Sequence, residues 1–222
     1  MKAFRIKINS WTSSFRYPNL MSAFQPTLEV PPVSTVMGLV NAAAGAYINQ
    51  KEIQLGYYFS FGSKAVDLET IYQISIHKTK KEQYPENIAI SNVIQREFLY
   101  DCRLFLYLFD EKLVSLFRQP AYQLLLGRSS DLAGIESIKV VELNEVQNAR
   151  IGGQLVPFNG NYLPGQIQAL PKYFSNTIPR KNMGTEPYSV ISCNNPVNSQ
   201  LTGFKPDLEE FDSDIFFHKF QV

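Results

Sequence analysis

Seven of the thirteen prolines in this chain, Pro157, Pro164, Pro171, Pro179, Pro187, Pro196 and Pro206, follow one another at intervals of 7 to 10 residues. A proline inside a helix removes a hydrogen bond and clashes with the preceding turn, so no long helix fits between Ile151 and Pro206. Short apolar pieces separated by such breaks make short strands and turns, and residues 149–206 read as a small β-rich module. Any helical layer has to come from the residues before it.

Those earlier residues carry the regular patterns. Phe4, Ile6 and Ile8 alternate with Ala3, Arg5, Lys7 and Asn9, which predicts a half-buried strand whose open face is basic. Pro31 and Pro32 then lead into Val33, Val36, Met37, Val40, Ala44 and Tyr47, a stripe of helical period that stops near Gly45. Residues 57–63 and 71–77 are strand-like and suit a hairpin. Residues 98–109 are apolar on both faces apart from Asp101 and Arg103, as a strand in the middle of a sheet requires. A short helix at 113–119 and an alternating strand at 137–143 complete the series. Strand, helix, strand, strand, helix, strand is the order of a ferredoxin-like, RRM-like βαββαβ domain. The expected fold class is therefore α+β: such a domain over 1–148, with a polar, basic insertion loop near 77–95, and the β-rich extension behind it.

Composition narrows the function classes. With 222 residues, 45% hydrophobic, the chain can bury a core without disulfides. Cys102 and Cys193 form no Cys-x-x-Cys pair, and neither His77 nor His218 completes a metal-ligand pattern with them, so no cofactor is expected and a reduced, cytoplasmic setting is. No apolar run reaches the length of a signal peptide core or a membrane span. There is no phosphate-binding glycine loop, dinucleotide fingerprint or serine-hydrolase elbow. The net charge of +1 conceals a division: residues 1–206 hold 20 Lys and Arg against 15 Asp and Glu, whereas 207–222 hold one Lys against five acids. The body is mildly basic, which permits an anionic partner, and the last sixteen residues read as a frayed acidic tail.

Two segments go beyond generic fold. Trp11 to Arg16 is followed by Val30, Pro31, Pro32, Val33, Ser34, Thr35, Val36, Met37, Gly38 and Leu39; later, Tyr122 precedes Leu126, Gly127, Arg128 and Ser129. In order and spacing these resemble the CRISPR-associated Cas-five family, over roughly residues 1–145, and the short type I-B form most, through the strand 96–108. The resemblance implies a ferredoxin-like core and a non-catalytic subunit of the Cascade complex. Such a subunit holds the 5′ handle of the CRISPR RNA, caps the backbone filament and docks the large subunit in antiviral defence. Target DNA is a further candidate partner.

Single-stranded RNA is gripped by cations or backbone N–H groups at its phosphates and by flat side chains at its splayed bases. Arg5, Lys7 and Arg16 supply cations on or just after the first strand. Ser34 and Thr35 sit where the helix start offers N–H groups, although Ser and Thr serve many helix starts with no ligand. Trp11 either stacks on a base or packs in the core, and Tyr17 poses the same choice. Arg128 and Ser129 after Gly127 make either a phosphate-binding turn or an ordinary one. His77, Lys78, Lys80 and Lys81 offer a nucleic-acid contact. They also open a rival reading, a metal-independent endoribonuclease that processes CRISPR RNA precursors with His77 as acid or base and Lys78 or Lys80 stabilising charge.

Overall fold

The computed structural model describes residues 1–20, 23–49, 53–77, 86–207 and 210–220. In chain order its elements are β1 (Lys2–Ser13), β2 (Phe24–Gln25), α1 (Val33–Ala44), β3 (Gln54–Ser60), β4 (Ser63–His77), β5 (Glu86–Leu108), α2 (Glu111–Leu116), β6 (Leu124–Leu125) and β7 (Leu132–Val146). Seven short strands follow: β8 (Arg150–Ile151), β9 (Gln154–Pro157), β10 (Gln166–Pro171), β11 (Thr185–Ile191), β12 (Val197–Asn198), β13 (Gly203–Pro206) and β14 (Phe217–Lys219). Among the described residues the protein is mostly antiparallel sheet with two helices.

The expected six-element order is not the order observed. Strands β2, β4 and β6 are interposed, and the main sheet runs β13-β7-β1-β5-β3-β14 with those three attached at its sides. Part of the reason is β5. Its last ten residues, Leu99 to Leu108, pair with β1 on one side and, from Arg103, with β3 on the other. Its earlier residues pair with β4 from Ser63↔Tyr100 to His77↔Glu86. The region expected to be an insertion loop is thus largely a two-stranded antiparallel ribbon, and residues 78–85 between its strands lie outside the described set. Val66, Leu68, Ile71, Tyr72, Ile90 and Val93 of this ribbon are exposed, so its strands pair without burying a face, and the polar residues 77–87 gave the sequence no burial pattern to follow.

Alternation along β1 puts Ile6 and Ile8 on the side of the helices, fully buried against Val33, Val36, Met37 and Val40 of α1 and Val114 of α2. Burying each such side chain contributes about 1.5–3 kcal/mol. Pro32 starts α1 without a side-chain cap, and Gly45 ends it in the left-handed conformation, its N–H donating to the Ala42 carbonyl. Any Cβ there would lie 2.7 Å from that of Ala121, so the close approach of the following loop also requires glycine.

The opposite face, expected to be open and basic, is covered. Ala3, Tyr58, Phe105, Tyr107, Val141, Leu143, Ile215 and Phe217 form a second apolar cluster there, with Phe211 and Phe204 packed against it. The chain reaches this face because β13 joins β7 while β14 joins β3, so residues 207–216 cross from one to the other. The described residues of the acidic end are therefore not frayed. Ile215, Phe217, His218 and Phe220 are buried, and apolar residues among the acids hold the segment in place.

Candidate nucleic-acid interface

Trp11, the sole tryptophan, is 80% exposed near the end of β1. A free indole of this size is uncommon on a strand, and the core-packing alternative is excluded. It lines a cleft of about 210 Å³ with Asn9, Ser10, Tyr100 and Asp101. Tyr100, also exposed, was not singled out from sequence; its position directly across from Thr12 in the register brings it to the cleft. Asp101 adopts φ 53°, an unusual value for a non-glycine residue, at the point where Trp11 has no cross-strand partner.

Five residues further on, Arg16 is exposed, bridges by its backbone to Thr27 and has no ion-pair partner among the described residues. It is an available cation. Tyr17 is half-buried and its hydroxyl donates to Gln166 Oε1 at 2.9 Å; burial raises its pKa, so it stays neutral. This ring is a strut to β10.

Ser34 and Thr35 occupy the first turn of α1, partly exposed, with no side-chain cap at that helix start. Ser34 lines a groove of about 350 Å³ along α1 with Asn41, Tyr47, Tyr122, Tyr173, Phe174 and Arg180, among others. Tyr122 reaches it because the backbone N–H groups of Ala121 and Tyr122 donate to the carbonyls of Ala43 and Ala42. The two sequence motifs therefore meet at α1. They meet again at Gly127 (φ +128°), whose missing Cβ would lie 2.8 Å from the Ser14 carbonyl. Tyr173, Phe174 and Arg180 were invisible as site residues because they come from the proline-punctuated region, far away in sequence.

Three expected cations are engaged elsewhere. Arg128 was expected to present its fork to a phosphate, but it spends the fork on Asp131: Nε lies 3.1 and 3.2 Å from the two carboxylate oxygens and Nη2 lies 2.9 Å from Oδ1. Asp131 is fully buried and also accepts from Thr12 Oγ1 and from the Ser14 and Arg128 N–H groups. Glu69 stands between Arg96 and Arg128, extending the network to the base of the ribbon. Arg128 is a clamp, and the exposed Ser129 beside it is the tip of an ordinary turn. Arg5 is 1% exposed, bonded through Nη2 to Glu210 at 2.7 Å. Lys7 pairs with Glu136 at 2.9 Å and Glu210 at 3.0 Å, and these carboxylates raise its pKa, the Glu136 hydrogen bond most. Neither faces solvent freely, because the acidic crossover supplies the counter-charge.

His77 closes β4, its backbone paired with Glu86, while Lys78, Lys80 and Lys81 lie outside the described residues. His218 is buried beside Tyr57, and burial pulls its pKa down to about 4. Among the described residues no three His, Cys, Asp or Glu side chains group as a metal site, and no helix is long and apolar enough to cross a membrane. The accessible chemistry is flat rings, amides and guanidinium groups, suited to stacking and phosphate contact.

Over 90% of its length the chain superposes on 91% of a chain from a CRISPR RNA-guided surveillance complex, with a TM-score of 0.54 and 16% identity. The fold is similar to one found in a CRISPR complex. A chain of the type III-B Cmr-beta complex bound to cognate target RNA and AMPPnP is similar too, with a TM-score of 0.53 and 7% identity over 88% of this chain and 86% of that one. No family model and no curated protein sequence matches.

Proposed function

We propose that this protein is a non-catalytic, RNA-binding subunit of a CRISPR effector complex. The observation that carries the reading is Trp11: an exposed indole beside Tyr100, on the strand that leads to the unpaired Arg16, provides a stacking surface for a splayed base and a cation for its phosphate. The whole-length likeness to a chain of an RNA-guided complex suggests guide RNA as that strand.

In the finer reading the chain is a type I-B Cas-five protein that holds the 5′ handle of the CRISPR RNA in the cytoplasm, caps the backbone filament and docks the large subunit. The middle of the sheet supports it. Strands β7, β1, β5 and β3 are neighbours in that order, with α1 between β1 and β3 along the chain and α2 between β5 and β7. Under this reading β2, β4 and β6 are additions to a ferredoxin-like core.

The test is co-expression with the genomic neighbours and one CRISPR array, followed by tagged purification and sequencing of the bound RNA. A discrete guide with a fixed repeat-derived 5′ end is expected. Trp11→Ala should weaken its retention by about 1–3 kcal/mol, the worth of one base stack, at unchanged stability. Recovery of the protein alone and RNA-free sinks the subunit reading; specific cutting of repeat RNA in chelator replaces it with the nuclease.

A further inference from the structure

The sheet face away from the helices combines Arg5 and Lys7 with the rings of Tyr58, Phe105 and Tyr107. Covered faces of sheets are normally apolar, since burying a cation costs energy unless it is paired. Here Glu136 of β7 pairs with Lys7 from within the sheet, and the rest of the pairing, all of it for Arg5, comes from an acidic segment whose residues lie like a nucleotide. The Glu210 carboxylate bridges Arg5 Nη2 and Lys7 Nζ, as a phosphate would. The neighbouring Phe211 ring stacks on Tyr58 at 3.7 Å and 8°, and lies 5.1 Å from Phe105, as a base would. We propose that this face is a second single-stranded nucleic-acid site, distinct from the Trp11 cleft, which the protein's own Glu210–Phe211 pair occupies in the absence of RNA.

The geometry gives such a site room to open. Glu210 is exposed and Phe211 only half-buried, whereas the anchors lie on either side: Asp207 exchanges hydrogen bonds with Glu142 of β7, and Ile215 with Phe204 of β13. Glu210 and Phe211 can therefore lift by giving up their own contacts and, at most, the exposed Asp212–Arg150 pair, without releasing β13 or β14. Asp207, Glu210 and Asp212 give the seated crossover an acidic charge that repels nucleic acid, and Glu210 competes with it for Arg5 and Lys7. Arg5 Nε and Nη1 have no well-formed hydrogen bond among the described residues, only the Tyr107 hydroxyl near the guanidinium, leaving donors for a phosphate that brings more oxygens than one carboxylate. A seated crossover lowers apparent affinity by the fraction of molecules that are open.

The inference rests on the RNA-binding reading for its choice of probe, so the experiment is run in a Trp11→Ala background, where the first site is disabled. Binding of a fluorescein-labelled oligouridine to the full chain is followed by anisotropy. The double change Glu210→Gln with Phe211→Ala should tighten binding about tenfold, the factor expected from losing one aromatic stack and two ion pairs whose carboxylate is partly open to water. Adding Lys7→Ala should reverse most of the gain and flatten the salt dependence. Glu111→Gln, which removes one exposed acid from α2, serves as the charge control. A gain without Lys7 dependence, no gain, or an equal gain in the Glu111 control overturns the proposal. In a second readout, oligouridine should protect Lys7 from acetylation in the opened variant, and unprotected Lys7 overturns it too. Loss of wild-type binding through Trp11→Ala tests the first site separately.

Discussion

Replacing Arg128 with alanine separates a clamp from a ligand. The guanidinium meets Asp131, a carboxylate with no solvent exposure, through Nε and Nη2 at 2.9–3.2 Å. Removing one partner of a buried pair costs about 3–5 kcal/mol, most of it the penalty on the stranded charge. Two features reduce this figure. Asp131 keeps the Thr12 hydroxyl and the Ser14 and residue-128 N–H groups, and the Arg128 side chain is 22% exposed, so water can enter the gap. About 2–3 kcal/mol remains, near the worth of one or two charged hydrogen bonds. In a chain of this size that lowers Tm by about 5–10 °C. Urea unfolding followed by far-ultraviolet circular dichroism measures it, since the exposed Trp11 is a poor reporter of the core; the midpoint should fall with the slope unchanged. Adding Asp131→Asn should recover part of the loss, because it removes the stranded charge. A change below about 0.5 kcal/mol, coupled to loss of guide RNA from the assembled complex, would refute the clamp and return Arg128 to the RNA.

Other perturbations read separate parts of the structure. His218, held neutral by burial with its pKa lowered from 6.5 to about 4, stabilises the fold fully above pH 6.5. Below that the unfolded chain binds a proton that the folded one refuses, so stability should fall by about 2 kcal/mol between pH 6.5 and 5. Glu29, Glu136 and Glu210 have pKa values lowered from 4.5 and add their losses only at lower pH, and His218→Gln should flatten the 6.5–5 window in urea titrations. Gly127→Ala forces a Cβ to 2.8 Å from the Ser14 carbonyl at φ +128° and should cost about 2 kcal/mol or more by the same titration. Cys102, its thiol pushed up to about 12 by burial, should resist iodoacetamide at pH 8 in the native protein and react in urea, as peptide mass spectrometry would read.

What could be read in advance follows from where each signal is stored. The β1 and α1 patterns are local: one period fixes which side of Ile6 and Ile8 is buried, and two prolines fix where α1 begins. Alternation also placed Arg5 and Lys7 together on the other face. It could not say that the face is closed, because the closing residues come some two hundred positions later and the contact depends on where β13 and β14 dock. The acidic excess after residue 206 was visible, but as tail composition. Its apolar members, Ile215, Phe217 and Phe220, are what turn it into structure. The Asp131 partner of Arg128 was hidden for a related reason. A Gly-Arg-Ser-Ser turn looks the same whether its guanidinium points outward or folds back three residues onto Asp131, and only burial of that acid decides.

Strand β5 gives the molecule a mechanical property. Its Leu99–Leu108 stretch is clasped between neighbours in the sheet centre, while the ribbon it forms with β4 continues about 30 Å past the short β2 contact. One uninterrupted backbone is thus both foundation and cantilever, so a load on the outer ribbon is delivered straight into the core without a linker to absorb it. The joint in this beam is Asp101, in its left-handed conformation next to Tyr100, where Gly62 N–H grips the carbonyl. The outer ribbon and the cleft that holds Trp11 are thus parts of one continuous strand, with Asp101 at the place where they meet.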